Sequence, residues 1–322
     1  MTTPAPLVIA SRGSELALWQ SRAVQAALRD AGAGEAEIRV VRTTGDRIQD
    51  VPLAKIGDKG LFTKELDSAL LAGEAHLAVH SLKDVPTRLP DGLVLAAVTR
   101  RADPRDVVLR PPGAVGGLDA LPAGARVGTS SLRRRAQLRA TRPDLEVADL
   151  RGNLNTRLAK LDSGQYDAIV LAAAGVVRLG WTDRIAAYLD APGWLPAVGQ
   201  GALAVVVRAD RTEVADALAA IHDADSAACT AAERALLRAL EGGCQVPIGA
   251  LATTEDDGTT LILHALVADL DGDPILRVRK TGPAADAEAI GRRAADALRQ
   301  AGADDVLRRI RADFDAALPV GP

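Results

Sequence analysis

The chain has 322 residues, 48% of them apolar, a formal net charge of −3 and only two cysteines. That length suffices for two or three domains with sizeable cores, while two cysteines exclude a disulfide framework or a cysteine-rich zinc site. No apolar run approaches the roughly 20 residues of a membrane-spanning helix. Two Phe, two Tyr and three Trp, with no overall basic field, argue against a nucleic-acid surface.

The opening, MTTPAPLVIASRG, carries neither a basic leader nor a long apolar segment, so a cytoplasmic rather than exported chain is expected. LVIAS at 7–11 reads as a strand, and Glu15–Ala31 as an amphipathic helix. The turn between them holds Arg12 and Ser14. A helix N-terminus offers free N–H groups and a positive dipole end to an anion, although a serine there is equally explained as an N-cap. IRVVRT at 38–43 reads as a second strand, and KIGDKG at 55–60 as a loop before a helix near 62–72. LAVHS at 77–81 is a strand that ends in SLKDVP and delivers Lys83 and Asp84. A carboxylate among cations stays ionised. It could stabilise a cation formed during reaction or pass a proton to a leaving amine; a surface ion pair is the plainer alternative. His76 and His80 lie four apart on a strand with no third ligand, so no metal is expected. His222 and His264 carry no local motif.

The short apolar runs Leu93–Val98 and Ile169–Val177 suit buried strands. RRADPRD near residue 100 reads as a crossing between domains, after which the rhythm repeats: ARVGTS, a helix from about 132, LEVADL, a helix from about 154, and DAIVLAA. Thr129, Ser130 and Ser131 occupy the turn equivalent to the first, with Arg133 and Arg134 in the following helical turn. Guanidinium forks there would pair with carboxylates. Arg135, Arg139 and Arg142 read as a solvated face, and Arg151 and Arg157 follow in RGNLNTRL. No Gly-rich nucleotide signature occurs in these turns. A locally basic cleft in a mildly acidic protein suits a small polyanion. The alternation predicts parallel sheets covered on both faces, in two α/β lobes with ligands beyond the carboxyl ends of the strands.

From Ser226 the texture changes. A helix over 226–240 leads into EGGCQVPIG, which sets Cys244 behind two glycines and ahead of Pro247. Bare, permissive backbone followed by a fixed turn would present a thiol for chemistry, whereas a lone cysteine is more often packing. Strand-like runs near 248–254, 260–268 and 274–280, joined by EDDGT and LDGDP, precede two helices and predict a smaller α+β domain.

Taken together, IASRGSELALWQ, PLAKIGDKGLFTKEL, AVHSLKDVP, VGTSSLRRRAQL, LRGNLNTRL, YDAIVLAAAG, LPAVGQGAL and AERALLRALEGGCQVPIG closely resemble the porphobilinogen deaminase family. They stand in the family's order from residue 9 to residue 249. The resemblance implies a dipyrromethane cofactor joined to Cys244 through a thioether, with porphobilinogen as the small-molecule substrate. It implies that Asp84 supports loss of ammonia and stabilises the resulting cationic methylene-pyrrolenine, before water releases hydroxymethylbilane after four additions. It assigns Arg12, Ser14, Lys83, Thr129, Ser130, Ser131, Arg133, Arg134, Arg151, Arg157 and Arg178 to the acetate and propionate groups of the pyrroles. Gln20, Ser81 and Gln200 belong near the same cleft. Lys55 and Lys59 fall in a mobile covering loop with Phe62 at its end, and Gly57 and Gly60 permit its movement. Cys229 receives no role.

The implied fold has two periplasmic-binding-protein-like α/β lobes facing a cleft and a C-terminal α+β domain with a three-stranded antiparallel sheet. Residues 1–101 with 200–221 would form the first lobe, 102–199 the second, and 222–322 the domain that carries the cysteine. The first lobe is expected to be completed by a late strand and helix near 202–219, in keeping with the strand-like GALAVVV at 201–207. A cytoplasmic monomer with no membrane or nucleic-acid partner is expected. The competing reading is a non-catalytic small-anion-binding module on the same two lobes. Such modules usually carry an export signal and need no loop cysteine.

Overall fold

The computed structural model describes residues 6–43, 63–240, 246–256 and 258–316. The chain opens with β1 (Leu7–Ser11), α1 (Glu15–Asp30), β2 (Ala36–Val40), α2 (Lys64–Leu71), β3 (Leu77–Ser81) and β4 (Leu93–Val98). It continues with β5 (Asp106–Leu109), β6 (Arg126–Gly128), α3 (Leu132–Thr141), β7 (Glu146–Ala148), α4 (Leu154–Asp162), β8 (Ala168–Ala172), α5 (Ala173–Arg178) and β9 (Ile185–Leu189). Then come β10 (Leu203–Arg208), α6 (Thr212–Leu218), α7 (Ala224–Ala239), β11 (Ile248–Thr254), β12 (Thr260–Ala268), β13 (Ile275–Pro283), α8 (Ala287–Gln300) and α9 (Ala303–Ala316).

These strands make two five-stranded sheets, β2-β1-β3-β10-β4 and β7-β6-β8-β5-β9, and a three-stranded sheet, β11-β12-β13. The fold class is therefore the expected one, two α/β lobes and an α+β unit with an antiparallel sheet. Both large sheets are mixed, however, rather than parallel. β10 runs antiparallel to β3 and β4, and β5 antiparallel to β8 and β9. The reason is connectivity: these two strands are the ones that carry the chain from one lobe into the other. One crossing, 99–105, leads from β4 to β5, and the other, 190–202, leads from β9 to β10.

Burial follows the two-faced layering. In the first sheet Ile9, Leu77, Val79, Val205 and Val207 pack against Val24 and Leu28 of α1 and Val214 and Leu218 of α6. Val8, Ala10, Ala78 and Val206 face the other way, onto Leu66 and Leu70 of α2. Period-two alternation thus fills both faces, which is why LAVVV of β10 reads as an unbroken apolar run. The second sheet repeats the scheme, with Leu138 of α3 on one face and Leu161 of α4 and Val176 of α5 on the other. In the α+β unit, α7, α8 and α9 cover one face of the sheet through Ala232, Leu236, Ile290, Leu298 and Val306. β13 turns alternate residues toward solvent.

Several boundaries differ from the sequence reading. β2 begins at Ala36 and ends at Val40, because its register is set by β1, with Leu7 opposite Ala36 and Ser11 opposite Val40. Arg42 and Thr43 consequently lie beyond the strand's carboxyl end. The run Ile169–Val177 is a strand only to Ala172 and then a helix; apolarity alone does not separate the two. The arginines read as a solvated face of α3 are engaged. Arg135 pairs with Asp149, Arg139 with Asp271 and the Leu270 carbonyl, and Arg142 with Asp144 and the carbonyls of Leu118 and Leu121.

Candidate active site

The carboxyl ends of both large sheets converge on one cleft of about 700 Å³. β3 is buried through His80, and the chain then closes a single 3-10 turn, Leu82–Asp84, with Val85 N–H donating to the Leu82 carbonyl at 3.1 Å. Leu82 is buried in the core of the first lobe, so Lys83 and Asp84 are turned into the cleft. On the same side β1 leads to Arg12 and Ser14; the Ser14 Oγ caps α1 by accepting from Ala17 N–H at 3.3 Å. Gln20, one turn into α1, donates to Ser81 Oγ at 2.8 Å and ties that helix to the strand that carries the reactive turn.

From the second lobe, β6 runs into Thr129–Ser131 and α3. Ser130 Oγ donates to the Leu150 carbonyl at 2.9 Å and accepts from Leu150 N–H at 3.0 Å, fastening this turn to the one before α4. There Asn153 caps α4 by accepting from Thr156 N–H at 2.9 Å. Arg151 and Arg157 line the cleft, and Arg157 Nε donates to the Gly152 carbonyl at 2.8 Å. Arg178, at the end of α5, donates to the Gly201 carbonyl at 2.8 Å and lies over the Trp19 ring at 5.5 Å, a contact between the lobes. A second such contact joins Asn155 Nδ2 to Glu15 Oε2 at 2.6 Å.

Twelve of the expected residues line this cavity: Arg12, Ser14, Gln20, Ser81, Lys83, Asp84, Ser130, Arg134, Arg151, Arg157, Arg178 and Gln200. Thr129, Ser131 and Arg133 stand behind the lining. Thr129 Oγ1 accepts from Ser131 N–H at 3.2 Å, and Arg133 NH1 donates to Asp106 at 2.8 Å and to the Leu195 carbonyl at 2.7 Å. Lys55, Lys59, Phe62 and Cys244 lie outside the described residues. Cys229 is buried in the core of the α+β unit, where burial and the nearby Glu233 push its thiol up to about 11, as suits packing rather than reactivity.

Electrostatics distinguish this cleft. Among the described residues, seven cations (Arg12, Arg42, Lys83, Arg134, Arg151, Arg157 and Arg178) line it against two carboxylates, Glu15 and Asp84. Burial brings Lys83 down to about 8, with Arg134 and Arg133 adding to the effect and Asp84 and Asp106 opposing it. Burial likewise brings Arg157 and Arg178 down to about 10. An anion entering the cleft would offset this cost of holding buried positive charge. Arg134 adds a sharper sign: its side chain is 7% exposed, NH1 and NH2 are both engaged, and its buried Nε has no partner among the described residues. A buried donor without an acceptor, on a side chain that lines a cationic cleft, is a group that an anion reaching it would satisfy. His80, buried below, is brought down to about 4 by burial and by Arg12, so it is neutral.

Sequence reasoning missed Arg42, Thr43, Glu15, Asn153 and Asn155 among the lining residues. The Asn153-x-x-Thr156 cap was readable from RGNLNTRL; Arg42 was hidden inside a run taken for a strand. Three residues outside the lining were also missed. Asp106 is fully buried and accepts from both Arg133 and Arg134. Glu233 of α7, also fully buried, accepts from Arg101 at 2.6 and 3.2 Å, Gly199 N–H at 2.7 Å and Ala252 N–H at 2.8 Å. It binds the two crossings and β11 to one carboxylate. From the next position on α7, Arg234 donates to the carbonyls of Val85 and Pro86 at 3.0 and 2.7 Å, holding the chain just after Asp84.

Residues 7–216 match the family model described as "Porphobilinogen deaminase, dipyromethane cofactor binding domain", and residues 227–300 match "Porphobilinogen deaminase, C-terminal domain". A curated relative named porphobilinogen deaminase, from Syntrophobacter fumaroxidans, is 52% identical over 303 residues, 94% of this chain and 97% of its own. Another of that name, from Moorella thermoacetica, is 53% identical over 305 residues, 94% of this chain and 96% of its own. Among solved structures, the periplasmic VFT2 domain of Bordetella pertussis BvgS covers 67% of this chain and 86% of its own, at 19% identity and a TM-score of 0.41.

Proposed function

The chain belongs to the porphobilinogen deaminase family, and on that premise we propose that the cleft between its lobes is the active site. There, four porphobilinogens are joined with loss of ammonia and released as hydroxymethylbilane. The observation that carries the assignment is a carboxylate, Asp84, set in a cleft whose described lining is rich in cations, with Glu15 taken up by Asn155. The non-catalytic reading finds no support in the relatives, which bear an enzyme's name.

The family's dipyrromethane cofactor, when bound, supplies a pyrrole with a free α-carbon as nucleophile and remains on the protein as a primer. The residues present suit such a group, since its acetates and propionates would meet Arg134, Arg157 and Arg178 from the second lobe and Lys83 from the first. Cys244 is the attachment point. Arg12, Ser14, Ser130, Arg151, Arg157, Arg178 and Lys83 hold carboxylates at the lining, with Gln20, Ser81 and Gln200 bracing them; Thr129, Ser131 and Arg133 act from behind. Asp84, which lines the cleft, would accept from a pyrrole N–H, so its negative charge would offset the positive charge that spreads over the ring as ammonia departs. The cations contribute by fixing the carboxylates, which orients the two reacting carbons without touching either.

We read residues 1–101 with 200–221, 102–199 and 222–322 as the three domains, and Lys55, Lys59 and Phe62 as part of a covering loop. The protein acts on a small molecule as a cytoplasmic monomer without nucleic-acid or membrane partners. Among the described residues, no helix is long and apolar enough to cross a membrane.

Intact mass tests the assignment directly. The purified protein should exceed its sequence mass by two deaminated porphobilinogens, and Cys244→Ala should remove the excess. A protein that neither carries the excess nor gains covalent pyrroles on incubation with porphobilinogen would overturn the reading.

A further inference from the structure

Asp106 opens β5 at the end of the first crossing, is wholly buried and does not line the cleft. Its two oxygens accept from four donors. Oδ2 takes Arg133 NH1 and Trp194 Nε1, both at 2.8 Å; Oδ1 takes Arg134 NH2 at 2.7 Å and Gln200 Nε2 at 2.8 Å. A carboxylate has about four such positions, so all are filled.

Two of these donors belong to the cleft wall, and each is left with one orientation. Arg134 has NH2 on Asp106 and NH1 on the Val170 carbonyl at 3.0 Å, so Nε is the donor that remains. Gln200 has its amide nitrogen committed to Asp106 and, at 2.8 Å, to the Pro104 carbonyl. Its carbonyl oxygen is thereby turned to Lys83 Nζ at 3.4 Å, where the flipped amide would set donor against donor. One carboxylate also keeps two buried guanidiniums apart while leaving the wall positive.

We infer that Asp106 is a positioning residue for the reaction: by fixing Arg134 and Gln200 it decides which N–H groups of the wall meet a pyrrole carboxylate. This rests on the carboxylate-binding reading of the cleft given above. Neither local sequence nor the cleft lining marks the residue, because its whole effect passes through other side chains.

The test compares Asp106→Asn, Asp106→Glu and Arg134→Met with the unaltered holoenzyme, with kinetics normalised to the cofactor-bearing fraction found by intact mass. An asparagine offers one oxygen where the carboxylate offered two, so two donors lose their acceptor whichever way the amide turns. KM for porphobilinogen should rise by roughly tenfold to a hundredfold, the usual effect of losing a charge-assisted contact, with a smaller change in kcat. The alkaline limb of kcat/KM should also move to lower pH. Lys83 is faced by Asp84 on its own turn, Arg133 and Arg134 from α3, and Asp106 from β5, and removing Asp106 deletes one of the two charges that keep it protonated. Asp106→Glu, which keeps the charge but displaces the oxygens, should restore the limb and leave KM raised. A merely structural role would lower the melting temperature of both variants without moving the limb or separating KM from kcat.

A folded Asp106→Asn protein with unaltered KM and limb would overturn the inference. If that variant does not fold, Asp106→Glu decides: raised KM with an unshifted limb supports positioning, and unaltered KM refutes it. Arg134→Met separates the two levels. Unchanged KM in Arg134→Met would sink the reading of the cleft, whereas raised KM there, with normal Asp106 variants, would sink only the role given to Asp106.

Discussion

Glu233→Gln probes the joint that holds the α+β unit to both lobes. Glu233 is fully buried, its partner Arg101 has a side chain 10% exposed, and Oε1 and Oε2 each accept one guanidinium N–H and one backbone N–H. Glutamine keeps the shape but removes the charge and one acceptor. Breaking a buried ion pair while its partner stays buried costs about 3–5 kcal/mol. Gly199 or Ala252 also loses the acceptor of its N–H, at about 1–3 kcal/mol. Taking about 4 kcal/mol as the lower figure, and about 2–4 °C per kcal/mol for the large cooperative unit that this joint makes of the α+β unit and the lobes, the apparent midpoint should fall by roughly 8–16 °C. Thermal unfolding followed by circular dichroism measures it, with the exposed Asp225→Asn on the same helix as the control. A fall below about 3 °C would refute the argument, because Glu233 would then be replaceable by any neutral acceptor.

Asp84→Asn should fold with a nearly unchanged midpoint, since the residue is half-buried and the change isosteric, yet lose nearly all turnover; single-turnover release of ammonia measures this, and near-normal release would refute the assigned role. Burial holds Lys83 at about 8, below its ordinary 10.5, so the folded chain binds this proton less tightly than the unfolded chain does. Its charge therefore counts against stability at neutral pH, and the deficit closes as pH rises from about 8 through 10.5. Lys83→Met should accordingly raise the apparent midpoint at pH 7 while weakening porphobilinogen binding. KM of the unaltered enzyme should rise through about pH 8 and Lys83→Arg should abolish that rise, whose persistence would assign it to another group. Arg234→Met removes the donors to the carbonyls of Val85 and Pro86 and should lower kcat more than it raises KM by loosening the Asp84 turn; an unchanged kcat would show that the turn holds itself.

What could be read from the sequence was whatever is encoded locally. LVIAS and LAVHS end in polar turns whose side chains meet in the cleft, and both strands form where expected. The α+β unit was legible because its strands are long and its turns rich in glycine and aspartate. β5 and β9 were not, since DVVL is only four residues long and IAAYL is half-exposed. Orientation was also hidden. A strand that arrives from the other lobe has the same composition as one that does not, so nothing announced that β5 and β10 run antiparallel. Arg133 and Arg134 are adjacent and looked equivalent, yet one points to Leu195 and the other to the cleft. Their shared partner, Asp106, stands 27 residues upstream in a segment that reads as linker. Long-range pairing of this kind has no local signal.

The two crossings between the lobes are laced together at the floor of the cleft. Arg101 Nε donates to the Gln200 carbonyl at 2.8 Å, Ala102 N–H to the Gly201 carbonyl at 3.2 Å, and Gln200 Nε2 to the Pro104 carbonyl at 2.8 Å. Gly201, at a φ of 96°, lets the second crossing lie against Ala102; a Cβ there would sit 2.4 Å from the Ala102 carbonyl oxygen. Two linkers fastened at one level act as the pin of a hinge rather than as two slack tethers. For any given angle of opening, displacement grows with distance from that pin, so the Glu15–Asn155 contact would part before Lys83, bonded to Gln200, or Arg178, bonded to Gly201, moved appreciably. An enzyme whose bound chain lengthens by one ring per cycle would gain room in this way at the mouth, with the geometry of its reactive turn left intact.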